Sequence, residues 1–392
     1  MKLRIIAALV AVSLSTGIFA GCADKKEYLP EATNDKQITV VAGGVKDEPK
    51  EEESAPPTPE ERAVEMLADM TLEEKVGQMF FARCPAENAV NDVKNYALGG
   101  YIFFGRDFEN KTPEDVKNNI ESYQSAAKIP MLIGIDEEGG KVVRASKYSA
   151  FRSAPFPSPK QLYENGGLDA VKTDTAEKAE FLKTLGINVN LAPVCDVSQN
   201  PKDYIYPRTL GEDAQTTALY TAVVAKQMED SKIGSVLKHF PGYGNNADTH
   251  KGVAYDERDM ETFEAEDFLP FIAAINVGAD AVLVSHNIVT CMDDQRPASL
   301  SPAVHEILRT KLNFKGVIMT DDTAMEGIKA FTDVDTAVQA VLAGNDMIIT
   351  SDHQTQYNAV MNAIKTGEIG SERIDEAVTR ILVWKMELGL IT

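Results

Sequence analysis

Two of the five histidines in the 392-residue chain, His239 and His250, fall in one segment, residues 238–250, which reads KHFPGYGNNADTH. Pro241, Gly242, Gly244, Asn245 and Asn246 punctuate it, so a mobile loop is expected there. Asp248 and His250 stand one residue apart. In a tight turn the carboxylate can accept a hydrogen bond from the imidazole, which orients the ring and raises its proton affinity. Such a pair can give and take protons near neutral pH. A second candidate is the adjacent pair Asp321 and Asp322. Neighbours on a strand face opposite sides, so one is expected to face a pocket as nucleophile or anion. The other would cap the helix that begins in TAMEGI, and periodicity alone does not choose between them. Asp136, Arg144, Arg208, Lys238 and His239 would be polar groups around a hydroxylated substrate. This set suits retaining glycoside hydrolysis, which needs a nucleophile on one face of a sugar and a proton donor on the other. The scattered histidines form no H-x-H or H-E-x-x-H pattern, so no metal and no cofactor is expected.

Eight short apolar runs read as strands that would position these groups: residues 76–83, 99–105, 130–136, 187–194, 233–240, 279–286, 315–321 and 345–350. Their continuous apolar character fits parallel strands covered on both faces. Stretches of helical length lie between them, at 112–127, 169–185, 212–231, 259–276, 301–311 and 333–343, with a closing helix at 371–388. Thr71 and Glu74 offer a capping box. Eight βα alternations predict a single (β/α)8 barrel of the TIM type, with a doubly wound open sheet as the alternative. No G-x-G-x-x-G follows the first strand to support a dinucleotide fold. Barrels carry their chemistry at the C-terminal ends of strands. Four of these runs end on charged or ionisable residues: Asp136, Lys238-His239, His286 and Asp321-Asp322. Charges there are costly unless paired or used, so the four endings predict one polar pocket.

The ends and the composition place the barrel. Lys2 and Arg4, an apolar run and the sequence Phe19-Ala20-Gly21-Cys22 predict a lipoprotein signal peptide over 1–21, with lipid attached to Cys22. Residues 22–59 contain DEPKEEESAPPTP and read as a disordered acidic, Pro-rich tether. The barrel domain is expected over 60–392, outside the cytoplasm and anchored to the bacterial cell membrane. The formal charge is −21, and −23 once the leader with its two basic residues is removed. So acidic a chain disfavours nucleic acid as a partner. Cys84, Cys195 and Cys291 show no regular spacing, so buried thiols are expected rather than disulfides or zinc.

Residues 238–250 resemble the signature of glycoside hydrolase family 3 in its β-N-acetylglucosaminidase branch, K-H-F-P-G-H-G, a short spacer, then D-[ST]-H. Further segments resemble the family in the same order: MTLEEKVGQM, GIDEEGGKVVR, FPSPKQL, LAPVCDV, RTLGED and GVIMTDDTAMEGI. The resemblance spans about residues 62 to 388. It implies Asp321 as the nucleophile, His250 as the acid/base and Asp248 as its partner. It places Asp136, Arg144, Arg208, Lys238 and His239 as sugar-binding residues, leaves Asp322 as a cap, and puts His286 at the pocket wall. Two departures touch the loop: Tyr243 stands where the signature commonly has His, and the spacer before Asp248 is a residue short. The implied activity is an exo-acting retaining β-N-acetylglucosaminidase (a beta-N-acetylhexosaminidase) acting on peptidoglycan fragments or chitin-type oligosaccharides, in a chain expected to be a monomer. The ending of the chain soon after the eighth unit is what that branch implies, since its acid/base sits on the barrel's own loop. The alternatives are a family 3 β-glucosidase, an N-acetylglucosaminide phosphorylase, and a sugar-binding lipoprotein without catalysis.

Overall fold

Each of the eight apolar runs contains a strand, because short segments apolar on both faces are stable only between a packed interior and an outer helical layer. The computed structural model describes residues 56–249, 251–331 and 335–392. The strands are β1 (Phe80–Arg83), β2 (Gly100–Phe103), β3 (Leu132–Ile135), β4 (Val189–Asn190), β5 (Gly234–Phe240), β6 (Ala281–Val284), β7 (Val317–Thr320) and β8 (Ile348–Thr350). They pair in parallel in the order β8-β1-β2-β3-β4-β5-β6-β7. β8 lies beside β1, with Phe80 opposite Ile348. Between β7 and β8 the ring is completed by a parallel bridge from Met319 to Met347. There Thr320 N–H donates to the Met347 carbonyl at 3.2 Å. This is the expected (β/α)8 barrel; an open doubly wound sheet would leave β1 and β8 apart. The expected leader, Cys22, the linker through Ala55, His250 and the start of the helix expected at Asp333 lie outside the described residues.

The helices follow their caps. Thr71 and Glu74 form the expected capping box, with reciprocal bonds of 2.9 and 3.2 Å. It starts the helix Leu72–Gln78, and this corrects the first strand. Val76, Gly77 and Gln78 are helical, and Gln78 is held at the helix end by bonds to the Ala97 carbonyl and Lys385. Only Phe80–Arg83 remain extended. The helices expected at 112–127, 212–231 and 371–388 are Pro113–Ala126, Ala214–Asp230 and Ser371–Glu387. The helix expected at 169–185 is the second part of a longer one, Pro159–Thr184, broken at Gly166 and Gly167.

The N-terminal end of the barrel is fastened by one carboxylate. Asp346, fully buried just before β8, accepts the Ile318 N–H of β7 at 3.0 Å. It also meets Arg309 at 2.5 Å and Arg373 and Arg380 at 3.0 Å each. It thereby ties β7 to the closing helix. Asp346→Ala would leave three guanidinium groups without their counter-charge and is expected to cost roughly 3–5 kcal/mol. The midpoint of urea denaturation checks this; a variant as stable as the parent would contradict the fastening role.

Candidate active site

Asp136 and Glu138 follow β3, and Lys238 lies near the end of β5. Adjacent strand ends bring them together. The Lys238 ammonium sits between the two carboxylates, 2.7 Å from an oxygen of each. Arg208 grips Glu138 through Nε at 3.0 Å and a terminal nitrogen at 2.7 Å. The same terminal nitrogen is 3.0 Å from His239 Nε2. A guanidinium only donates, so Nε2 accepts and Nδ1–H donates to Asp196 at 2.7 Å. Arg144 reaches Asp136 at 3.3 Å. Burial alone would raise the Asp136 carboxyl, but Lys238 and Arg144 outweigh it and hold the group well below the carboxylate range. Glu138 is opposed in the same way by burial and held down by Arg208 and Lys238, at about 2. These charges fix one another, so a hydroxylated ligand meets donors and acceptors already in place.

The network forms one wall of a 360 Å³ cavity at the C-terminal end of the barrel. Asp136, Arg144, Arg208, Lys238, His239 and Asp321 all line it, together with Phe104, Tyr204, Asp322 and Met325. Lys238 and His239 both face it although they are neighbours in sequence, because the pairing of β5 with β6 slips between Leu237 and Phe240. Asp321 and Asp322 both line it as well, which corrects the alternation expected of them: β7 ends at Thr320, so the pair lies on a turn. Asp321 Oδ1 accepts the Asp322 N–H at 2.8 Å. Asp322 does cap, but it caps a turn rather than a helix: its carboxylate accepts the Ala324 N–H at 2.9 Å, while the helix Glu326–Lys329 starts after Met325. Burial and the charge of Asp321 raise the Asp322 carboxyl above its ordinary value.

The loop after β5 closes one side. Gly242 has φ +129°, and a Cβ there would stand 2.2 Å from Asp267 Oδ1, so only glycine fits. Arg258 ties the loop base through Asp256, Asp267 and the Gly242 carbonyl. Asp248 is largely buried and pairs with Lys251 at 3.6 Å. Burial raises the Tyr204 hydroxyl, and the negative fields of Asp248 and Asp321 raise it further. One phenol therefore feels the charge of both carboxylates. The expected partner of Asp248, His250, is outside the described residues. His286 corrects another expectation: it is fully buried and is absent from the cavity wall. Its Nδ1 bonds Ser299 Oγ at 2.7 Å and its Nε2 meets the Asp322 carbonyl at 3.0 Å, so it braces the turn from behind.

Sequence reasoning missed Glu138, Asp196 and Tyr204. Asp196 carried the same signal as the others, a charge just beyond an apolar strand, here LAPVCDV. Glu138 was hidden by its acidic neighbours. Of these, Glu137 is fully buried and structural, accepting the backbone N–H groups of Arg144 and Ala145 at 3.0 and 2.9 Å. Tyr204 carries no local signal.

Residues 71–383 match the Glycosyl hydrolase family 3 N terminal domain. The chain is 33% identical over 263 residues to a beta-hexosaminidase of Xanthomonas campestris pv. campestris (strain B100), a span covering 66% of this chain and 78% of the relative. A solved glycoside hydrolase family 3 beta-N-acetylglucosaminidase from Paenibacillus sp. str. FPU-7 superposes with a TM-score of 0.77 at 30% identity, over 82% of this chain and 63% of that one. A beta-N-acetylhexosaminidase from Beutenbergia cavernae DSM 12333 superposes with a TM-score of 0.71 at 26% identity, over 80% of this chain and 98% of that one.

The wall network has a consequence in acid. Glu138 titrates at about 2 in the fold against an ordinary 4.5. A depressed value means the unfolded chain binds its proton first on acidification. The contribution of Glu138 is therefore complete above about pH 4.5 and is lost as pH falls towards 2. Glu138→Gln is expected to lower stability at neutral pH and to flatten the loss within that window. Urea denaturation across the range checks this, and an unchanged acid limb would contradict it.

Proposed function

Because the chain belongs to glycoside hydrolase family 3, we propose that it is an exo-acting, retaining β-N-acetylglucosaminidase. It removes terminal N-acetylglucosamine from peptidoglycan fragments or chitin-type oligosaccharides. The observation that carries this reading is the shared cavity: Asp321 lines it together with the Asp136, Arg144, Arg208, Lys238 and His239 wall. At 360 Å³ it is at the small end for ligand pockets, which favours one terminal sugar over a stretch of polymer. The beta-hexosaminidase relatives favour the acetylated sugar over glucose.

In this reading the ion-paired wall binds the sugar hydroxyls and sets the anomeric carbon before Asp321. The Asp321 carboxylate attacks that carbon, and the bond to the leaving oxygen breaks as His250 protonates it. A glycosyl ester on Asp321 results. His250 then takes a proton from water, whose oxygen attacks the same carbon and frees the carboxylate, so the configuration is retained. Asp248 holds the imidazole oriented and stabilises its protonated form. Asp322 and His286 keep the turn that presents Asp321.

Turnover of p-nitrophenyl β-N-acetylglucosaminide beside the β-glucoside, with and without phosphate, tests the reading. Fast release from the acetylated sugar in plain buffer is expected. Release that needs phosphate would convert the assignment to a phosphorylase, and release from neither substrate would end it. Asp321→Asn is expected to lower kcat at least about 1,000-fold, and His250→Ala on the order of 100-fold or more on leaving groups that need a proton.

The lipobox-like sequence ending at Cys22 supports a further part of the proposal, attachment of the enzyme to the outer side of a bacterial membrane by lipid on Cys22. Cys22→Ala is expected to move the protein from the membrane fraction to the soluble fraction. Continued sedimentation with membranes would contradict the anchor.

A further inference from the structure

The loop carrying Asp248 is held by a phenol. Tyr243 is 2% exposed, with its ring edge-on to His239 at 5.5 Å and tilted against Tyr204 at 5.8 Å. Its N–H donates to Asp196 Oδ1 at 2.7 Å, and the other oxygen of Asp196 accepts from His239 Nδ1. Its hydroxyl oxygen accepts the Thr249 N–H at 3.2 Å and shares a hydrogen with Thr249 Oγ1 at 2.5 Å. Thr249 is fully buried, and its carbonyl accepts the Gly327 N–H at 3.0 Å, on the segment that follows Asp321. The residue next to Asp248 is thus tied to the sugar wall on one side and to the Asp321 segment on the other.

We propose that Tyr243 is a positioning residue for proton transfer, whose hydroxyl fixes the Asp248-Thr249 peptide in place against the sugar wall. The proposal rests on the glycosidase reading above. Earlier in the loop Asn246 is buried and donates to Asp256 at 2.7 Å, but Asn245 and Ala247 are exposed and Gly244 has no side chain, so the tie next to Asp248 is the one at Thr249. Tyr204 meets Asp248 from the cavity side, while the Tyr243 ring packs against both Tyr204 and His239. Movement of the Thr249 peptide would therefore carry Asp248 away from Tyr204 while leaving Asp136, Lys238 and Arg208 where they are. Sugar binding would survive and proton transfer would not.

Tyr243→Phe keeps the ring and its packing and removes only the two bonds to Thr249. Two substrates separate proton transfer from the rest: 2,4-dinitrophenyl N-acetyl-β-glucosaminide, whose leaving group needs no proton, and N,N′-diacetylchitobiose, whose leaving group does. For Tyr243→Phe, kcat/KM on the disaccharide is expected to fall on the order of 10- to 100-fold, while kcat/KM on the dinitrophenyl substrate stays within about twofold. On the latter, kcat and KM should fall together, because water attack on the glycosyl enzyme needs the same proton acceptor. Thr249→Val removes one of the two bonds and should give a smaller loss of the same pattern, and the double variant should be no worse than Tyr243→Phe. Equal loss on both substrates, or no loss on either, would overturn the positioning role. Amide hydrogen exchange at Thr249 is expected to quicken in Tyr243→Phe while the barrel strands keep their protection. Unchanged exchange there would overturn the tie itself. If the parent protein hydrolyses neither substrate, the glycosidase reading fails, and the exchange result alone decides whether Tyr243 holds the loop.

Discussion

A lysine held between two carboxylates is the constraint on which the functional end of this barrel depends. Lys238 is nearly inaccessible to solvent, and it can stay charged there because Asp136 and Glu138 each approach to 2.7 Å. Glu138 in turn needs Arg208, Arg208 needs the acceptor on His239, and His239 is oriented by Asp196. No member can be removed without leaving an unpaired buried charge or donor. The cavity wall is therefore one unit, and the loop bearing Asp248 hangs from the same unit through Asp196 and Tyr243.

The two ends of the barrel divide the work. At the N-terminal end, Asp346 collects three arginines and a β7 amide. At the C-terminal end, charges are paired but left at a cavity. Rigid strand ends supply the cavity wall, while the turn after β7 and the loop after β5 supply Asp321 and Asp248. Chemistry carried on loops above a fastened scaffold gains precise geometry only where each loop has its own ties. Here the ties are His286 behind Asp322, Arg258 under the loop base and Tyr243 beside Thr249.

Much of this was legible in the sequence because parallel strands covered on both faces read as unbroken apolar runs, and charges that end such runs stand out. That logic found Asp136, Lys238, His239 and Asp321, Arg144 and Arg208 were picked out beside them as polar groups for a hydroxylated substrate, and the family resemblance supplied the expected distinction between Asp321 and Asp322. It failed where local geometry leaves the ideal strand. Alternation does not govern Asp321 and Asp322, because β7 has already ended. It also failed for groups defined by distant partners. Glu138 and Arg208 are 70 residues apart, and Asp196 and His239 are 43 apart, separations at which no local pattern reports contact. His286 shows the opposite error: a polar strand ending that looked like a site residue is a brace.

We assign the attack on the sugar to Asp321 and not to its equally cavity-facing neighbour Asp322. The most direct measurement is peptide mapping by mass spectrometry after His250→Ala is mixed with 2,4-dinitrophenyl N-acetyl-β-glucosaminide. That variant should form the intermediate with this leaving group and release it slowly. One N-acetylhexosaminyl unit in ester linkage to Asp321 is the expected result. The same unit on Asp322, or a burst of dinitrophenol with no adduct on the protein, would contradict the assignment.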